Sequence, residues 1–170
     1  LADDLHPKLS GFDRVRDRHT LVCKRLGVEA VPDRVDGNGS NPGREGGAPS
    51  PPKPDALAAL REDLRPLLSG TDPFEVAATG IDVFDALASG SRPVVYLAVE
   101  SDALVRLHHR LCAAYDAIEG IEGDEFVPHV TLARGGNPDP GVVADLVSRA
   151  FEPIRWRVHA MEVYDPEFRE

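Results

Sequence analysis

IRWRVHAMEVYD, residues 154–165, repeats FEVAATGIDVFD, residues 74–85, without a gap. Ile81 falls on Met161, Asp82 on Glu162, Val83 on Val163, Phe84 on Tyr164 and Asp85 on Asp165. Each segment follows a helical pattern. Before that helix, in each half, comes an apolar strand-type run carrying histidine and threonine: RHTLVCKRL with His19 and Thr20, and FVPHVTLARGG (126–136) with His129 and Thr131. A helix precedes both of these runs, but only the second half has a strand, VVYLAVE, ahead of that helix. The chain therefore reads as two copies of strand-helix-strand-helix-strand, the first copy lacking its opening strand upstream of Leu1. A divergent duplication of this kind packs as two lobes about a pseudo-two-fold axis, with mainly antiparallel sheets facing a central cleft. The expected class is α+β. The arrangement brings His19 and His129 together although 110 positions separate them.

The expected organisation is one bilobal domain over residues 1–170, with lobe 1 about 1–90 and lobe 2 about 91–170. Residues 33–54, DRVDGNGSNPGREGGAPSPPKP, interrupt lobe 1. Gly, Pro, Ser and Asn dominate there and no apolar period survives, so this is read as an exposed flexible loop. LADDLHPKL reads as a short amphipathic helix. PDALAALREDLRPLLSG reads as a helix opened by Pro54 and Asp55 and closed by Gly70. SDALVRLHHRLCAAYDAIEG reads as a helix with Ser101 as N-cap and Gly120 after its end. DPGVVADLVSRAF is a further helix, and 154–165 is the last strand.

Of the 170 residues, 42% are hydrophobic and 28% charged, an ordinary globular balance. No apolar run approaches bilayer length and no secretory leader pattern is present, so a cytoplasmic protein with no membrane partner is expected. The chain begins with Leu1 and enters a helical pattern at once, which fits a domain cut from a longer chain. Net charge is −10, and the only lysines are Lys8, Lys24 and Lys53. Such a surface repels nucleic acid in general and suits a salt-rich cytoplasm. An RNA partner would need a local basic cleft, for which Arg14, Arg16, Arg18 and Arg25 are candidates; the same arginines could equally pair with Asp13 and Asp17. Cys23 and Cys112 have no metal-binding spacing and read as buried free thiols. No cysteine, histidine or acidic cluster points to a metal, and no phosphate-binding glycine loop to a nucleotide cofactor; none is expected.

Side chains alternate on a strand, so His129, Thr131 and Ala133 share one face and Val130, Leu132 and Arg134 the other, unless the strand end twists. A strand with Val and Leu on its core face and His and Thr on the other lines something polar. Imidazole titrates near neutrality, so one histidine can remove a proton while another donates one. Two of them flanking a phosphodiester need no metal, and hydroxyls and cations aimed at the non-bridging oxygens stabilise the transition state. One such acid–base contact contributes roughly 10²–10⁴ in rate.

FVPHVTLARG resembles the H-x-T-h motif of the 2H phosphoesterase superfamily, and within it the LigT-like branch of 2′-5′ RNA ligases and RNA 2′,3′-cyclic phosphodiesterases. The order of elements agrees over nearly the whole chain, apart from the opening strand. The resemblance implies that His129 is a catalytic acid or base, that Thr131 bonds the phosphate and that Arg134 lies near the substrate backbone or phosphate. It carries His19 over as the second catalytic histidine. The first motif departs from the pattern: Thr20 follows His19 directly, and one extra residue precedes the Leu-Gly. A β-bulge would absorb that residue and re-aim the Thr20 hydroxyl. Lys24 and Arg25 are candidate substrate contacts. The expected activity is metal-independent opening of RNA 2′,3′-cyclic phosphate ends to a 2′-phosphate, reverse joining giving a 2′-5′ linkage. The substrates are RNA ends or small cyclic nucleotides, acted on by a monomer with no obligatory protein partner. The alternatives are a non-catalytic RNA- or nucleotide-binding module and a phosphodiesterase for a small cyclic nucleotide. His108 and His109 cannot face the same way on one helix and read as partly exposed or core-edge histidines. His6 reads as a surface residue and His159 as an ordinary strand histidine.

Overall fold

A computed structural model of the chain describes residues 5–27, 54–84 and 93–164. The loop expected at 33–54 lies, but for its last residue, outside the described residues, as do Asp85 and Asp165 of the repeat. The described residues part into two compact units. One holds 5–24, 73–84 and 93–158; the other holds 25–27, 54–72 and 159–164.

The first unit contains one antiparallel sheet. Its strands are β1 (Arg14–Val15), β2 (Phe74–Phe84), β3 (Val94–Glu100), β4 (His129–Arg134) and β5 (Ile154–Val158). Their order across the sheet is β1-β4-β3-β2-β5. The α+β class and the antiparallel pairing are as the sequence implies. Where the repeat pictures a sheet in each lobe, the described strands of both halves join in one, because β2 gives one edge to β3 and the other to β5. The β2–β5 ladder carries the symmetry of the repeat. Val76 and Trp156, equivalent by sequence, are paired directly; Phe74 pairs with Val158 and Ala78 with Ile154, and these two pairs exchange under the repeat. A local two-fold therefore passes through the Val76–Trp156 pair. β5 is shorter than the expected 154–165 because its partner runs out: Val158 already pairs with Phe74, the first residue of β2.

The helix Asp102–Ala114 lies in the same unit and opens as predicted. The Ser101 hydroxyl accepts from the Leu104 N–H and donates to the Glu75 carbonyl at 2.8 Å, which ties the helix start to β2. It ends before Gly120, at Tyr115, where the chain turns toward Lys24. Pro140–Val147 follows β4, capped by the Asp139 carboxylate on the Gly141 and Val142 N–H groups. In the second unit, Pro54–Leu68 is helical, with Gly70 at φ +76° beyond its end. Of LADDLHPKL, residues 1–4 lie outside the described residues, Leu5 is α-helical, and His6–Leu9 is a 3₁₀ turn with Pro7 in its first positions, where the missing N–H is no loss.

Leu5, Leu9, Phe12, Ile81, Val95, Leu132, Ala133 and Leu146 form a core cluster on one sheet face. The Lys8 ammonium donates to the Asp145 carboxylate, which joins the 3₁₀ turn to Pro140–Val147 and holds that carboxyl below its usual range. The two glycines that end FVPHVTLARGG serve this packing. Gly135 and Gly136 have φ of +71° and +80°. A Cβ on Gly136 would lie 2.9 Å from the Gly11 carbonyl oxygen and 3.0 Å from the Asp13 nitrogen, both backbone atoms that cannot swing aside. Gly136→Ala is therefore expected to lower the unfolding free energy by about 2 kcal/mol or more in a denaturant titration. Loss of less than about 0.5 kcal/mol would contradict this account of the turn.

Candidate active site

β3 is regular, so its even residues Val94, Tyr96, Ala98 and Glu100 mark one face, and each directly paired residue shares it. Ala98 pairs with His129, Tyr96 with Thr131 and Val94 with Arg134. On the other side, Tyr96 pairs with Asp82, Ala98 with Gly80 and Val94 with Phe84. His129, Thr131 and Arg134 thus stand on one face, opposite the core cluster. Simple alternation placed Arg134 on the wrong side. The β3–β4 register slips between Val95 and Tyr96, so Leu132 and Ala133 both enter the core and Arg134 is turned to the histidine face.

Three rings meet there. Phe84 and Tyr96 stack at a centroid distance of 4.1 Å, and His129 meets them edge-to-face at 5.2 and 5.3 Å. His129 is half-buried, and its Nδ1 lies 2.7 Å from the Val127 carbonyl oxygen. A carbonyl only accepts, so Nδ1 carries the hydrogen and Nε2 is the basic nitrogen of the neutral ring. The Tyr96 phenol is pushed up to about 12 by burial and by the neighbouring Asp82 carboxylate. It stays protonated throughout the neutral range. Gly80 and Ala98 lie in the same row as His129, and a Cβ built on Gly80 meets nothing within 4 Å. The face is open beside the imidazole.

The first histidine segment departs from expectation. RHTLVCKRL is not a strand; only Leu21 makes a bridge, to Val130 of β4. Just upstream, Arg14 pairs with Arg134 and Val15 with Ala133, and the Arg16 N–H donates to the Leu132 carbonyl at 2.8 Å. Between Arg16 and Leu21 four residues face a single residue, Thr131, so Asp17–Thr20 are looped out of the ladder. The sequence anticipates a one-residue bulge; the structure slips by three. His19 and Thr20 are exposed in this loop. Because Leu21 faces Val130, the Cα atoms of His19 and His129 are at most about 17 Å apart.

The chain beyond the loop is held by His108, which the sequence reading put at the core edge. It is 0% exposed and stacks on Phe126 at 3.8 Å. Its Nδ1–H donates to the Cys23 carbonyl at 2.7 Å, and its Nε2 accepts from the Gly123 N–H at 2.9 Å. A buried imidazole with both nitrogens used this way is neutral and structural. His109 is exposed. Cys23 and Cys112 are free thiols, and burial first, then Cys112 and Glu122, push the Cys23 thiol up to about 12. Cys23 is therefore not a nucleophile at neutral pH.

Lys24, expected at the substrate, is engaged elsewhere. Its ammonium lies 2.5 Å from the Glu122 carboxylate, with the two side chains only 4% and 1% exposed, and it also donates to the Asp116 carbonyl. It follows Leu21 by three residues, and the local turn points it inward. Sequence could not show this, because the partner acid sits 98 positions away. Among the described residues, no group of three or more His, Cys, Asp and Glu side chains is placed to hold a metal, and no helix is long and apolar enough to cross a membrane.

The family model of the 2′-5′ RNA ligase superfamily matches residues 48–167, and the chain belongs to that superfamily. The match contains His129, Thr131 and Arg134 and begins after His19. No curated protein matches the chain. Lys24→Ala strands a buried carboxylate and is expected to cost about 3 kcal/mol or more in denaturant unfolding. Lost turnover with unchanged stability would instead return Lys24 to the substrate.

Proposed function

We propose that the chain is a phosphoesterase that opens RNA 2′,3′-cyclic phosphate ends by two-histidine acid–base catalysis. The observation that carries this reading is His129 with its basic Nε2, on one open sheet face with Thr131 and Arg134, in a chain of the 2′-5′ RNA ligase superfamily. His19 is the second imidazole. The Leu21–Val130 bridge supports it, since it limits the span between the two histidines to one that two side chains and a phosphate can bridge.

In hydrolysis, one neutral imidazole takes a proton from water as the water oxygen bonds to phosphorus. The phosphorus–O3′ bond breaks, and the other imidazole, protonated, gives its proton to O3′. The products are a 2′-phosphate and a 3′-hydroxyl. Thr131 donates to a non-bridging oxygen, and Arg134 offsets the charge that develops there. In reverse, a 5′-hydroxyl replaces water and a 2′-5′ linkage forms. No nucleotide cofactor or metal enters this scheme, and a monomer in the cytoplasm suffices for it. The pseudo-two-fold through Val76 and Trp156 supports the proposed organisation as one duplicated domain.

A second reading, a non-catalytic RNA-binding module, is favoured by the looped-out first motif. Turnover separates the two. A 2′,3′-cyclic mononucleotide and a cyclic-phosphate-ended RNA should be hydrolysed with EDTA present. His129→Ala and His19→Ala should each lower kcat by roughly 10²–10⁴. Gly80→Leu, which fills the open space beside His129, should raise KM without unfolding the chain. Full activity in both histidine variants would eliminate the mechanism; RNA binding without turnover in the unmodified chain would favour the module.

A further inference from the structure

The sheet face that carries His129 also carries a carboxylate that the acid–base scheme does not use. Asp82 pairs with Tyr96, and Tyr96 with Thr131, so these three stand in one row across β2, β3 and β4. The neighbouring row is Gly80, Ala98 and His129. Asp82 is exposed, and its Oδ1 accepts from the Val83 N–H at 2.7 Å, which orients the carboxylate. Two strand spacings, about 10 Å, separate its strand from that of His129 and Thr131. The floor beside it is low: Ala98 carries only a methyl group, and a Cβ on Gly80 would meet nothing within 4 Å.

A carboxylate repels a phosphate and accepts only from N–H or O–H groups. In a nucleotide that ends in a 2′,3′-cyclic phosphate, both ribose hydroxyls are esterified. Its remaining donors are the N–H groups of the base, and O5′–H where the nucleotide is free. A base laid over Gly80 and Ala98, with its phosphate at His129, lies next to Asp82. Guanine offers two parallel donors, N1–H and the N2 amino group, spaced for both oxygens of one carboxylate. A carboxylate has about four acceptor positions, so the Val83 bond leaves both oxygens able to accept. Adenine and cytosine each offer one amino group beside a ring nitrogen that only accepts. Uracil offers N3–H between two carbonyls, whose oxygens face the carboxylate with like charge. We infer, on the phosphoesterase reading of this face, that Asp82 is a specificity-determining residue: it reads the base of the reacting nucleotide and selects guanine.

The test is kcat/KM of the full chain for the 2′,3′-cyclic monophosphates of guanosine, adenosine, cytidine and uridine. The guanosine substrate should be preferred over the uridine one by about tenfold or more. Asp82→Ala should remove that preference and bring the four values within about threefold of one another. Asp82→Asn keeps the size, supplies one accepting oxygen in place of two, and should also collapse the preference. A residue with only a structural role would lower all four values alike. Equal values in the unmodified chain, a preference for another base, an equal loss on all four in the variants, or a guanine preference that survives in either variant overturns the inference. If none of the four is turned over, the phosphoesterase reading falls, and Asp82 is tested by calorimetric titration with the four nucleoside 2′-monophosphates. Tightest binding of the guanosine compound, lost in Asp82→Ala, then supports base reading; even affinities or no binding overturn it.

Discussion

The candidate site depends on β4 being paired along both edges. On one edge it meets β3 in a ladder with a slip at Leu132. On the other it meets Arg14, Val15 and then Leu21, with Asp17–Thr20 left over. The first slip turns Arg134 to the histidine face. The second expels the first histidine from the ladder and holds it near that edge. Both are consequences of a hydrogen-bonding requirement: a six-residue strand must satisfy its backbone groups, yet β4 has one residue more than β3 on one edge, and the first histidine segment has more residues than β4 on the other. Leu132, the extra residue of the first slip, is taken into the core, whereas Asp17–Thr20 leave the ladder with their side chains exposed and incur no burial cost.

The surrounding structure holds this arrangement in place. Buried His108 fixes the Cys23 carbonyl, and the Lys24–Glu122 pair fixes the next residue. These contacts secure the chain just after the loop; Gly11, Asp13 and the glycine turn secure it just before. The loop is therefore clamped at both ends although its own side chains are exposed. That suits a segment that presents polar groups to a substrate from a rigid support.

Much of the fold was legible because it follows from pattern. The repeat of 74–85 in 154–165 identified two strands that then pair on a common two-fold. Ser101 and the 54–68 helical period located helices through local chemistry. Alternation alone put His129 and Thr131 on one face, as the β3 register does. Arg134, Lys24 and His108 were harder for one physical reason: their environments are set by partners far along the chain. Parity fails at a bulge, which is a tertiary event, and a buried pair between Lys24 and Glu122 leaves no periodic trace. Tyr96 was hidden in β3, which reads as an ordinary buried run, and Phe84 at the end of β2. Phe84 stands at an aromatic position shared with Tyr164 in the repeat, but its meeting and that of Tyr96 with His129 required the register.

The central claim is that one phosphate is met by an imidazole from each half of the chain. Titration of the ¹⁵N-labelled protein with a nucleoside 2′-monophosphate, followed through the histidine ring signals, tests it directly. The account predicts that His129 and His19 shift together with a common saturation curve, while buried His108 and exposed His109 stay fixed. A shift of His129 alone, or of neither, would contradict a two-histidine site.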